Sequence, residues 1–244
     1  MFYFLFEYDN IIEKTCKEMQ MGEHWVGYIG CLHVHWDTLI TMWFAMAVVI
    51  ILSLIITRNL EIKPGKKQTI AESIFKFFLG NLEEVKDGKK HVPIVASLFL
   101  FIFTANLMGQ LPLRLIHLKN GELASPTNDI NLTAALAVIV LIYYLFQGFR
   151  EKGFRYIYHG FSITGIITTL VDILEMITRP LSLALRLFAN ILAGEILVSV
   201  VLGLFAFAAP VPVMLFEIFV AFIQAFVFMM LTIAYITSSV SEEH

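Results

Sequence analysis

Six ionisable side chains lie where the rest of the chain is apolar. Between residues 160 and 240 they are Asp172, Glu175, Arg179, Arg186, Glu195 and Glu217. An arginine at the centre of a bilayer costs about 2.5–3.5 kcal/mol even on insertion scales, so such residues line a polar cavity or an ion path. Arginine stays protonated under physiological conditions and cannot relay protons itself. A fixed cation in a low-dielectric setting instead favours the ionised form of a nearby carboxylic acid. Carboxylates such as Glu195 and Glu217, or Asp172 and Glu175, can take up protons and pass them on through water. Two acidic groups of residues flanking one Arg suggest two half-paths separated by a positive barrier.

Helical spacing organises these groups. Asp172, Glu175, Arg179, Ser182, Arg186, Asn190 and Ala193 follow one another in steps of three and four, which places them on one stripe of a helix. Glu195 comes nine residues after Arg186, about 180° round the helix, and faces away. Glu217, Gln224 and Tyr235, separated by 7 and 11 residues, share a face opposite a side rich in Phe, Met and Ile. Glu175 and Arg179 allow two readings, a structural i,i+4 ion pair or members of the path. Arg186 has no carboxylate three or four residues away and requires an anion from Glu217 or from a partner chain. Ser182, Ala184, Ala189, Ala193 and Gly194 would let another helix come close.

The elements that must carry these residues follow from composition. The chain has 244 residues, 58% apolar and 15% charged, with a mean hydropathy of +0.78. Soluble domains hold about 45–50% apolar and about 25% charged residues. Too little charge remains to cover a soluble fold, which excludes a disordered chain, a nucleic-acid-binding domain and an ordinary cytosolic enzyme. Uncharged runs at Thr38–Thr57, 92–113 and 130–147 are each near the roughly 20 residues that cross a bilayer. Pro210 and Pro212 split the remainder into blocks 161–207 and 213–238. The first of these, 47 residues, would measure about 70 Å as one helix against a hydrocarbon core of about 30 Å. It contains no water-exposed turn. Two short spans joined tightly are one solution; one long, steeply tilted helix bent at Pro180 is the favoured one. The expected fold is an all-α polytopic membrane protein of about five embedded helices, the last two forming a long tilted hairpin.

Residues 58–90 carry eight Lys or Arg and residues 148–160 carry three, whereas residues 1–37 carry only Lys14 and Lys17 against six acids. Positive loops face the cytoplasm, so the N-terminus is expected outside and, by parity, the C-terminus inside. Residues 1–37 then form an extracytoplasmic segment and 38–244 a single membrane domain. Within the first inside loop, QTIAESIFKFFLGNLEEV predicts a helix lying on the membrane, with Ile70, Ile74, Phe77 and Phe78 on one side. Cys16 and Cys31 could pair in an oxidising compartment. His33, His35 and Asp37 form an HxHxD run that reads as interfacial rather than as a metal site. No Gly-rich phosphate loop occurs, so neither ATP binding nor a cofactor is expected. The lack of signal or transit peptide character favours a bacterial inner membrane, with an organelle-encoded copy as the alternative.

At this point a family is recognisable. RPLSLALRLFANILAGE (179–195) resembles the signature of the a subunit of rotary F-type ATP synthases, and FIQAFVFMMLTIAYITSSVSEEH from Phe222 onward resembles the end of that subunit. HVHWDTL (33–39), FTANLMGQLP (103–112) and PTNDINLT (126–133) match further landmarks in the same order. The resemblance implies a non-catalytic stator subunit against a rotating c-ring, with b subunits of the peripheral stalk and the remaining ATP synthase subunits as partners. It makes Arg186 the residue that keeps two half-channels apart and displaces the ion from the passing c-subunit carboxylate. Asn190 and Gln224 match the polar neighbours of that Arg, Glu195 and Glu217 the outside half-channel, Asp172 and Glu175 the inside one, and Tyr235 a polar position near the C-terminus. Several bacterial relatives pair a Glu with a His where this chain has two Glu, an arrangement suited to sharing a proton or holding a cation. The coupling ion implied is H+ or Na+. A stand-alone secondary transporter, with Arg186 binding an anionic substrate, is the rival; it calls for two related halves or paired broken helices, and neither is visible.

Overall fold

The computed structural model describes residues 26–29, 32–58, 65–83, 85–110, 125–153, 163–204 and 210–240. Cys16, Cys31, Arg114, Lys119 and the SEEH tail lie outside them.

A two-stranded antiparallel hairpin, β1 (Val26–Ile29) and β2 (Leu32–His35), pairs Val26 with His35 and Ile29 with Leu32. Among the described residues, every further element is helical. Helix α1 spans Trp36–Thr57, α2 Lys66–Asn81, α3 Val92–Gln110, α4 Ile130–Lys152, α5 Ile163–Leu204 and α6 Pro210–Val240. Among the described residues, five stretches are long and apolar enough to cross a membrane: Thr38–Thr57, Val92–Gly109, Ile130–Lys152, Ile167–Val198 and Val211–Val240. The all-α polytopic expectation holds for the membrane part, and the hairpin is a small addition ahead of it.

Within block 161–207, the described residues 163–204 form one helix. The 42 residues of α5 run through Pro180 without a break and would measure about 63 Å, twice the hydrocarbon thickness. Pro180 lacks the amide N–H that would bond the carbonyl of Met176, so the ladder loses one rung where a bend was expected.

Helix α6 is the hub, packing on α3, α4 and α5, while α4 also packs along α5. The shared core holds Ile102 and Val95 of α3, Tyr144 and Val140 of α4, Leu183 and Leu187 of α5, and Phe228 and Ile236 of α6. Phe222 meets Phe99 and Phe103 edge-on at ring distances of 6.0 and 5.8 Å, a geometry aromatic pairs prefer. Helix α1 touches α3 and α2 and leaves Trp43, Phe44 and Leu54 exposed at the edge of the bundle. On α2, Phe78 enters the core against Phe99 while Ile70, Ile74, Phe75 and Phe77 remain exposed. Phe78 therefore anchors the helix inward instead of joining the outward apolar side expected of it.

A turn at residues 85–91 fastens α3 to α4. Lys86 bonds Glu151 at 3.1 Å, and His91 Nδ1 lies 2.7 Å from the hydroxyl of Tyr143. Burial pushes the His91 imidazole below its usual range. Gly88 makes this turn possible, because a Cβ there would sit 2.1 Å from the carbonyl oxygen of Leu82.

Candidate functional site

A second turn, Pro126–Asn128, is wedged among α1, α3, α4 and α5. Asp129 caps α4 by accepting from the amide of Asn131 at 2.8 Å. Ser125 donates to the carbonyl of Ala105 at 3.3 Å and lies 2.9 Å from the Thr127 hydroxyl, tying the turn to α3. Gly109 permits the approach: a Cβ there would fall 2.6 Å from that of Ser125. So held, Asn128 reaches across to α5 and donates from Nδ2 to Glu195 Oε2 at 2.7 Å.

Glu195 is 6% exposed, and so is Glu217 on α6. Gly194 brings α5 and α6 together here, since a Cβ on it would meet Glu217 Oε1 at 2.9 Å. The two carboxylates are thus neighbours across one helix contact, inside the bundle and in reach of the polar turn. Asn106 of α3 is fully buried, and among the described residues neither atom of its amide finds a hydrogen-bond partner. The Phe103–Phe222 contact sets the antiparallel register of α3 and α6, and Asn106 and Glu217 lie three and five residues beyond it on the same side. They stand within about 3 Å of the same level along the bundle. A buried unsatisfied amide is costly, so Asn106 marks this level as polar. Gln224, also buried, continues the polar face of α6 two turns further on.

Arg186 points elsewhere. It is exposed, as are Ser182 and Ala193 of the same stripe and Ala189 beside them, whereas Leu183, Ala184 and Leu187 on the other side enter the core. The nine-residue offset accounts for this division: Glu195 goes into the bundle and Arg186 onto its outer face. Asn190 is half-buried at the border. Among the described residues Arg186 forms no ion pair, and Glu217 packs instead against Gly194, two turns along α5. Of its two candidate anions, the one on this chain is occupied elsewhere. Small side chains around Arg186 leave a smooth, approachable strip.

On the other side of Arg186, Arg179 Nη2 donates to Glu175 Oε2, so the ion-pair reading of these residues describes the geometry. The Arg179 guanidinium carbon also stands 5.2 Å from the ring centroid of Tyr235 on α6. Asp172, half-buried, lies one turn before Glu175. The side chains of His33, His35 and Asp37 lie outside the described ones. No group of three or more His, Cys, Asp or Glu among the described residues could hold a metal ion.

Asn128 and Asn106 sit in sequence landmarks that carried no individual role. No periodicity links Asn128 to Glu195, 67 residues away; a polar turn beside a buried acid was the only available signal.

Residues 39–237 match the family described as the ATP synthase A chain. ATP synthase subunit a of Gloeobacter violaceus is 43% identical over 230 residues, covering 93% of this chain and 92% of that protein. The chloroplastic ATP synthase subunit a of Stigeoclonium helveticum is 39% identical over 233 residues, 93% of this chain and 94% of the relative.

Proposed function

Since the chain belongs to the ATP synthase A chain family, we propose that it is the ion-translocating stator subunit of an F-type ATP synthase, non-catalytic by itself. One observation carries the reading. Helix α5 holds Arg186 on an exposed, small-residue strip while Glu195 and Glu217 lie buried on the other side of the same contact. A permanent cation that forms no ion pair among the described residues suits a passing carboxylate on another chain, which is what each c subunit of a rotating ring presents.

In this reading Glu195 and Glu217, with Asn128 as hydrogen-bond donor, form the outside half-path. Gln224 and Asn190 extend it toward Arg186. Asp172, Glu175 and Tyr235 belong to the inside half-path. An ion entering from outside reaches the ring carboxylate beside Arg186, travels with the ring and leaves on the inside. Arg186 blocks the direct route, because a mobile cation beside it meets like charge in low dielectric. Each elementary charge crossing 100 mV delivers about 2.3 kcal/mol, which the separated paths convert to rotation instead of leak. The coupling ion is H+ or Na+. Residues 38–244 form one membrane domain in a bacterial inner membrane, with residues 1–37 outside and the C-terminus in the cytoplasm. The c-ring, the b subunits and the rest of the synthase are its partners.

Purification tests the assignment. The tagged chain should co-elute from gently solubilised membranes with a small two-helix protein bearing a membrane carboxylate. A self-sufficient monomer that transports an anionic substrate would overturn it.

A further inference from the structure

We propose that His91 and Tyr143 form an acid-responsive pair that positions the inside half-path through Tyr144 and Tyr235, so that acid on the inside throttles ion flow. This rests on the subunit reading above. The 85–91 turn and the end of α4 lie on the basic, inside-facing side of that reading, where Lys86 meets Glu151 at 3.1 Å. His91 is 3% exposed, and its ring stands edge-on to Tyr143 with Nδ1 2.7 Å from the hydroxyl. The imidazole also bonds the backbone carbonyl of Lys86. A neutral ring has one N–H and one lone pair. A carbonyl can only accept, so the N–H goes to Lys86 and Nδ1 accepts from the Tyr143 hydroxyl.

A second proton reverses this arrangement. Nδ1 becomes a donor, the Tyr143 hydroxyl must accept, and its own hydrogen turns away from the ring. The charge is also placed in a buried position, which is costly. Burial is the main reason the imidazole titrates below its usual range; Asp87 favours the charged ring and Lys90 opposes it. The Asp87 carboxylate is itself bonded to Lys90. Glu83 at the end of α2, Lys89 of the turn, and Arg150 and Lys152 of α4 are the other charges at this end of the bundle, all but Lys152 exposed. The turn is built to yield, because Asp87 has a left-handed φ of 57°, which a non-glycine residue adopts at a cost.

A shift here travels along α4. Tyr144, next to Tyr143, is buried, and its ring centre lies 5.8 Å from that of Tyr235 on α6. Tyr235 carries the Arg179 guanidinium of α5 at 5.2 Å, and Arg179 is bonded to Glu175. With His91 neutral, Tyr143 is held at the start of α3 and Tyr144 supports Tyr235. With His91 charged, Tyr143 moves off, Tyr144 moves with it, and the Tyr235–Arg179 contact loosens.

The test measures ATP-driven ion pumping in inverted vesicles, which turn the inside face of the assembled complex to the medium, with co-purification of the c-ring reporting assembly. Between medium pH 7.5 and 5.5 the parent should slow about threefold more than His91→Gln, which should match the parent at pH 7.5. Returning the parent to pH 7.5 should restore its rate. Tyr235→Leu, which cuts the route to Arg179, should remove the same extra acid loss whatever its rate at pH 7.5. Equal acid losses in the parent and His91→Gln would overturn the inference. So would a loss that persists at pH 7.5, which marks unfolding, or an extra acid loss retained in Tyr235→Leu. Arg186→Ala serves as the reference. Coupling that survives it defeats the subunit reading; coupling lost there, with the parent and His91→Gln sharing one pH profile, defeats only the role of His91.

Discussion

Arg186 and Glu195 sit on one helix, nine residues apart, and meet opposite environments. That contrast was readable in advance, because 100° per residue fixes which side chains share a face. The partners of these residues were not. Whether Arg186 would take Glu217 or a foreign anion depended on how α5 meets α6, and Gly194 decides it by packing against the Glu217 carboxylate. The donor to Glu195 comes from a turn 67 residues earlier in the chain, a distance no local pattern spans. Two predictions belong here. Replacing both Glu195 and Glu217 by Gln should slow ion entry in assembled complexes, seen as a fall in ATP synthesis across the whole pH range tested. Asn128→Ala removes a hydrogen bond to a buried carboxylate, an interaction worth about 1.5–3 kcal/mol, and should slow synthesis about tenfold with the complex still assembled. Rates unchanged by either substitution would take those residues out of the path.

At the scale of elements, lengths and charges located the five spans, and the excess length of block 161–207 pointed to a single long helix. The two turns that fasten the bundle were less legible, since their form depends on close approaches at Gly88 and Gly109 that only assembled coordinates reveal. Gly109→Ala should push the 125–128 turn off α3, lower the unfolding temperature of the complex by a change worth about 1–3 kcal/mol, and slow ion entry through the displaced Asn128. The same substitution leaving both untouched would mean that α3 and the turn can separate freely. The 85–91 turn makes a pH prediction. His91 titrates lower folded than unfolded, where its value is about 6.5, because burial disfavours the imidazolium. Above that pH it is neutral in both states and contributes no pH dependence; as pH falls below it, the unfolded chain takes up the proton first and stability declines. Between pH 7.5 and 5.5 the parent should lose more thermal stability than His91→Gln, with equal losses counting against the burial of His91 beside Tyr143.

For the molecule as a whole, 58% apolar content supplies a low-dielectric matrix, and the few charges inside it are sorted between interior and outer face. Composition established the membrane, and spacing established the stripe. Among the described residues Arg186 forms no ion pair, and the function proposed for it places the anion on a second, moving protein, a surface that no feature of one sequence displays. What Arg186 does in the assembled machine decides the proposed function. The most direct measurement is ATP synthesis driven by an ion gradient in vesicles whose complex carries Arg186→Ala, with assembly verified by co-purification. The account predicts an assembled complex with coupled synthesis abolished. Normal coupled synthesis by that complex would contradict it.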